Sequence, residues 1–174
     1  MNKPTLRPFA ADDEDGVIAL VDRVYREYGE RLCLKGAARD LTDIPGTYLQ
    51  PGGSFVVLAG DTILGSHAML PLDAEHGTCT FRRLYLDSSH RGTGWGEKLM
   101  DWAVEHARRE GFRRVEFWSD TRFTRAHRFF ERIGFQRDGR SREMVDGWSP
   151  YQEYFFWRDL GAPGPSPGST SPSD

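Results

Sequence analysis

The chain of 174 residues carries 23 Lys and Arg against 26 Asp and Glu, a formal charge of −3. That length suits one domain with a sizeable core and is short for two, and the near balance of charge offers no general electrostatic grip on nucleic acid or an anionic membrane. Two cysteines, Cys33 and Cys79, do not make a disulfide framework, the first residues run into charged sequence without an apolar leader, and no apolar run approaches the ~20 residues of a membrane span, so the expected setting is a reducing cytoplasm.

Residues 5–9 read as a short strand. Asp12, Asp13 and Glu14 then supply a cap and an acidic first turn suited to the positive end of a helix, on which Val17, Leu20, Val21, Val24 and Tyr28 keep helical spacing. Residues 29–53 have weak periodicity, a short helix around 37–41 and breakers at Pro45, Gly46, Pro51, Gly52 and Gly53, and are expected to form a loop-rich insertion. Phe55, Val56, Val57, Leu58 and Ala59 form a compact apolar strand, and Gly60-Asp61 signals a hairpin into Thr62, Ile63 and Leu64. A third strand over 79–86 should place Cys79, Phe81, Arg83 and Tyr85 on one face and Thr80, Arg82, Leu84 and Leu86 on the other.

After a glycine-rich loop, Trp95, Leu99, Trp102, Ala103, His106 and Ala107 form a helical stripe that Gly111 should end. Val115, Glu116, Phe117 and Trp118 read as a strand parallel to the one before the loop, by the right-handed crossover rule. A second helix is predicted over 122–132, with Ala126, Phe129, Phe130 and Ile133 apolar and Gly134 just past its end, followed by strands near 135–144 and 151–157. In the last of these, Tyr154, Phe155, Phe156 and Trp157 either complete the core or support a homodimer. The domain is expected to occupy residues 1–160. Residues 161–174 contain only Gly, Ala, Pro, Ser, Thr and Asp and should remain disordered, because they cannot bury enough apolar surface to offset the entropy of ordering.

The chemistry centres on Arg91-Gly92-Thr93-Gly94-Trp95-Gly96. A diphosphate needs several donors converging from one side, and backbone amides at a helix start supply them together with the positive end of the helix dipole. Glycines clear side chains from that approach and admit the backbone angles of a concave nest. The position fits too, since ligands of parallel units bind at the carboxyl ends of the strands. A Walker A loop is excluded because Glu97 stands five positions after Gly92 and Leu99 follows Lys98. The dinucleotide fingerprint is excluded because the third glycine falls at 96, not 97.

This motif, with Ala126-His127-Arg128-Phe129-Phe130 running on to Gly134-Phe135, resembles the GNAT superfamily of acyl-CoA-dependent N-acyltransferases, over roughly residues 7–158. The resemblance implies a mixed α+β single domain: a central, mostly antiparallel twisted sheet with one parallel, splayed strand pair, flanked by helices. It implies acetyl-CoA as co-substrate, with the pantetheine arm along the backbone of Leu84 and Leu86 and the diphosphate on residues 91–96. It further implies direct transfer to a primary amine of a small molecule or a protein, with no metal. A catalytically weak acyl-CoA-binding regulatory module is the alternative, because the sequence departs from the family at three places. Phe130 stands where many relatives have a Tyr acid, Phe123 where an Asn is common, and Thr80 where an acidic residue is common.

His127 shares a helical face with residues 123 and 130, and is either a substitute acid or an ordinary histidine of a basic helix. Asp120 is either a base or a helix cap. His67, Asp73, Glu75, His76 and Glu116 are further candidate bases. Tyr25, Glu27, Tyr28 and Asp43 are candidates to line the acceptor pocket.

Overall fold

The computed structural model describes residues 3–145 and 149–161; the predicted disordered tail lies, but for its first residue, outside them. Seven strands form one sheet in the order β1-β2-β3-β4-β5-β7-β6. They are β1 (Thr5–Pro8), β2 (Ser54–Ala59), β3 (Ile63–Asp73), β4 (Thr78–Leu86), β5 (Arg114–Asp120), β6 (Gln136–Val145) and β7 (Pro150–Asp159). Neighbours are antiparallel except β4 and β5, which run parallel. Three helices cover the sheet: α1 (Glu14–Glu27), α2 (Trp95–Arg109) and α3 (Thr124–Arg132).

Each face of the sheet has its own core. Against α2 and α3 pack Met69, Cys79, Phe81, Val115, Phe117 and Phe156, joined by Met100, Ala103, Val104 and Phe130 from the helices. Against α1 pack Phe55, Val57 and Ala68 with Val17, Leu20, Val21 and Val24. Adjacent Ala68 and Met69 serve opposite cores, as strand periodicity requires. Burial pushes the Cys79 thiol up to about 12, which leaves it an unreactive packing residue.

Two expectations are corrected. Residues 29–53 are more than a loop-rich insertion: short turns at Arg39–Thr42 and Pro45–Leu49 bury Ala38, Leu41, Ile44 and Tyr48 in the α1-side core. Their tight and wide helical turns break the regular period, so their amphipathicity is invisible to a 3.6-residue test. The alternation along β4 also fails. Arg82 pairs with Ala68 and Tyr85 with Ser66, so Arg83 and Leu84 together oppose the single residue His67. This is a β-bulge, with Arg83 at φ +56°, and the extra residue exchanges the two faces of everything after it. Leu84 therefore joins the core of Cys79 and Phe81, while Tyr85 turns to the α1 side.

The bulge is anchored in the chain that precedes it. Arg83 Nε donates to Asp40 at 2.8 Å, its Nη2 donates to the Ala37 carbonyl at 2.6 Å and also to Asp40, and the Ser66 hydroxyl donates to the Arg83 carbonyl at 2.7 Å. The Tyr48 hydroxyl donates to the same Asp40 carboxylate.

Opposite the bulge, His67 is fully buried, with Nδ1 3.1 Å from the Leu99 carbonyl and its ring edge-to-face with Phe81. Burial pushes its pKa down to about 4, and the bond to Leu99 offsets only part of that. The unfolded imidazole protonates near 6.5 and the folded one near 4, so the unfolded chain binds the extra proton between those values. The stability present above pH ~6.5 is therefore lost as pH falls to ~4, by about 3 kcal/mol from this residue. Urea titrations at pH 7 and 4.5 should show that slope, and His67→Gln should flatten it by this share.

Candidate active site

Pairing between β4 and β5 holds at Thr78↔Arg114, Cys79↔Val115 and Thr80↔Glu116 and then stops. From there β4 enters its bulge while β5 stays paired with β7 as far as Asp120↔Glu153. Two parallel strands held at one end and parted at the other leave a cleft of about 1060 Å³. Leu84 and Leu86 line one wall and Trp118 and Ser119 the other, with Gly92, Gly94 and Gly96 at one end. On the β5 side, Leu84 and Leu86 have no ladder partner.

The glycine loop is built as a helix entrance. Asp87 accepts from the Ser89 amide at 3.1 Å and the Ser89 hydroxyl at 2.6 Å, and the Thr93 hydroxyl donates to the His90 carbonyl at 2.5 Å. Gly92 and Gly94 stand at φ +75° and +86°, in the left-handed region that other residues enter at a cost. Gly94 is the residue ahead of α2, and the Lys98 amide donates to its carbonyl at 3.2 Å. The amides of Trp95, Gly96 and Glu97 thus precede the helical ladder and point out of its N-terminus. Gly96 sits below Phe129 and Leu86, whose atoms lie 3.8 and 4.0 Å from where a Cβ would stand. The Trp95 indole is engaged instead by Lys98, 4.3 Å above the ring.

Arg91 faces the other way. It donates to both oxygens of Glu27, at 2.5 and 3.0 Å, and from Nε to the Leu86 carbonyl at 2.9 Å. It ties the loop to α1 and to the end of β4, and Glu27 neutralises it there. The attraction for an anion at this helix start consequently comes from amides and the helix dipole.

The two proton-transfer candidates occupy different settings. Asp120, at the end of β5, accepts from the Arg122 amide at 2.9 Å, from Arg122 Nε at 2.9 and 3.0 Å, and from Arg122 Nη2 at 2.5 Å. The Phe123 amide donates to its carbonyl, and α3 starts at Thr124, two residues later than predicted, because this turn occupies 120–123. Arg122 also reaches Glu30. His127 is buried, at 6% exposure, against Tyr154 and Phe156, with Nε2 3.1 Å from the Ser119 hydroxyl. Burial, then the charge of Arg137, hold its pKa below the ordinary value, with a hydrogen bond to the Asp120 backbone acting in opposition. Since Ser119 lines the cleft, His127 reaches that space through the serine.

The other candidates sort by place. Asp73 and His76 pair at 2.9 Å on the exposed β3–β4 turn, and Glu116 pairs with Arg114 at 2.7 Å. Phe130 is core, 4.9 Å from the Phe117 ring. Of the acceptor-pocket candidates, Tyr25 and Tyr28 line the cleft, while Glu27 holds Arg91 and Asp43 caps the Gly46 amide at 2.9 Å. Sequence reasoning missed Ser119 as a cleft residue because Ser119-Asp120-Thr121 reads equally well as capping types.

A mixed sheet whose one parallel pair parts beneath a glycine-bounded helix start is a receptacle for a long ligand with an anionic head. Residues 18–135 match the model of the acetyltransferase (GNAT) family. Among curated proteins, the chain is 28% identical over 138 residues to the uncharacterised N-acetyltransferase YjgM of Escherichia coli, covering 76% of this chain and 82% of that one. It is 32% identical over 124 residues to N-acetyltransferase 8F1 of Rattus norvegicus, covering 69% of this chain and 54% of that longer protein. Among solved structures, a GNAT-family acetyltransferase from Staphylococcus aureus Mu50 superposes with a TM-score of 0.76 at 19% identity, over 91% of this chain and all of that one. A phosphinothricin acetyltransferase from Sinorhizobium meliloti, in complex with AcCoA, gives 0.69 at 18% identity, over 91% and 89%. The chain belongs to the GNAT acetyltransferase family. It is an acetyl-CoA-dependent N-acetyltransferase, and enzymes of this family acetylate amine acceptors.

Proposed function

We propose that the chain transfers the acetyl group of acetyl-CoA directly to a primary amine of a small molecule or a protein, with no acyl-enzyme. The parting of β4 and β5 immediately before the helix start carries this reading. The backbone of Arg91, Gly92, Thr93, Gly94, Trp95 and Gly96 holds the CoA diphosphate, and the vacant strand edge at Leu84 and Leu86 takes the pantetheine arm as an added strand would be taken. An amide on that edge polarises the thioester carbonyl. Arg91 positions this edge through the Leu86 carbonyl rather than by touching phosphate.

Counting on from Thr80↔Glu116, with one residue allowed for the bulge, brings Leu84 level with Ser119. Ser119 therefore faces the reacting carbon. The neutral imidazole of His127 accepts the Ser119 hydroxyl proton, and Ser119 accepts one from the attacking nitrogen. The C–N bond forms, the C–S bond breaks, and the proton released by nitrogen passes back through the same pair to the departing thiolate. Asp120 supports the pair through its backbone and anchors Arg122. Ser119→Ala and His127→Gln should each lower kcat about 100-fold with acetyl-CoA affinity unchanged, and the double variant should be no slower than either single one. The acid limb of the kcat profile, which burial of His127 displaces below the ordinary imidazole range, should flatten in His127→Gln.

Phe130 and the engaged Asp120 favour a second reading, a CoA-binding module with little turnover. Calorimetry with acetyl-CoA, followed by thiol release over an amine panel, separates the two. Binding with thiol release supports transfer, binding without it the module, and no binding overturns both.

A further inference from the structure

The acceptor end of the cleft has an unusual lining. Phe123, at the position where the family commonly has Asn, is the hub of an aromatic cluster: Tyr28 lies 4.8 Å away, Tyr25 6.1 Å and Tyr85 6.4 Å, with Tyr25 and Tyr85 6.2 Å apart. All four rings line the cleft on its α1 side. Their contacts are edge-to-face or tilted, the geometry in which a further ring is accepted most readily.

The carboxylates around this end are held by guanidinium groups. Asp40 is held by Arg83, Asp120 and Glu30 by Arg122, Glu153 by Arg142 at 2.6 Å and Glu27 by Arg91. Arg82 adds an exposed guanidinium to the lining. A polyamine entering here meets guanidinium-bound carboxylates and a further positive charge. An aromatic body meets rings, and a single ammonium can approach their faces before it loses its proton.

We infer that the acceptor is an aromatic monoamine, a primary amine on a short alkyl arm carrying an aromatic ring and no second positive charge. This rests on the transfer reading above and names the substrate class of that site. Nitrogen gains the acetyl carbon, sulfur leaves it, and the proton moves from nitrogen to sulfur, so the step balances without a further reactant.

The full chain with acetyl-CoA is assayed by thiol release with 2-phenylethylamine, tryptamine, propylamine and spermidine. The aromatic amines should show kcat/KM at least about tenfold above the other two. Phe123→Leu should remove most of that preference by raising KM for the aromatic amines, with calorimetric CoA affinity unchanged. If that variant loses CoA binding, Tyr28→Leu at the exposed rim gives the same readout. Propylamine or spermidine used as well as 2-phenylethylamine overturns the inference and leaves the transfer reading standing. So does a preference that survives both substitutions. Acetyl-CoA bound with no turnover of any amine overturns the inference and the transfer reading together, and failure to bind acetyl-CoA removes the site itself.

Discussion

Gly94→Val is expected to lower CoA affinity about 100-fold in a protein that remains folded. The position holds φ +86° and a Cβ there would meet no atom within 4 Å, so the substitution creates strain without a clash. A β-branched residue in the left-handed region costs roughly 1–2 kcal/mol. The cheaper response is to rotate the peptide that enters α2, which turns the amides of the loop away from one another. Each hydrogen bond from such an amide to a charged oxygen is worth about 1.5–3 kcal/mol. Losing one or two costs about 3 kcal/mol, the stated 100-fold. Gly111, at φ +86° beyond the far end of α2 and equally open, supplies the control. Gly111→Val should cost comparable stability and leave CoA affinity alone. Calorimetry and thermal melting on both variants make the comparison. If Gly94→Val binds CoA as tightly as the parent chain, the diphosphate does not lie on this loop.

Asp40→Ala should have the largest effect on stability, about 3–5 kcal/mol. The side chains of Arg83 and Asp40 are only 6% and 9% exposed, so the substitution leaves the guanidinium's charge buried without its partner. Burial by itself pushes the Asp40 carboxyl up, but hydrogen bonds and charge from Arg83, with help from Tyr48, outweigh it and hold the group below the usual carboxylate range. Its contribution is therefore present above the unfolded carboxyl's pKa near 4 and fades as pH falls through the lower folded value. Removing one partner leaves a buried guanidinium unmatched, whereas replacing both with apolar residues removes the mismatch. Asp40→Leu combined with Arg83→Met should consequently recover much of the stability lost in Asp40→Ala. Urea unfolding of the two variants at pH 7 measures this. Equal losses in both would mean that the pair contributes packing rather than charge.

The loss from Asp40→Ala bears on function because Arg83 is the bulge residue. Without the bulge, Leu84 would return to the α1 side and Tyr85 to the core of Phe81, so the strand edge facing the cleft would change its residues. Strand alternation in the sequence predicts that unbulged arrangement. It cannot do otherwise, because a bulge exists only when two strands are counted against each other, and Arg83 and Leu84 lie on β4 while His67 lies on β3. Residues 29–53 escaped recognition for a related reason: their burial against Phe55 and Ala68 is visible only once β2 and β3 are in place.

What the amino-acid order determined by itself is what neighbouring residues decide among themselves. Glycines at 92 and 94 admit the left-handed angles that other residues enter at a cost, the stripe from Leu99 to Ala107 makes a one-sided helix, and Val115 to Trp118 an extended segment. These local preferences, in their order, suffice for a parallel pair ahead of a phosphate-type loop. Only the tertiary structure decided which side chains meet. Arg91 finds Glu27 across 64 residues of chain and Arg83 finds Asp40 across 43; Ser119 presents His127 to the cleft, and Phe123 gathers Tyr25, Tyr28 and Tyr85. Such contacts carry no local signature, because a charge, a hydroxyl or a ring is chemically the same on a solvated surface as in a site, and its role follows from what folding places beside it.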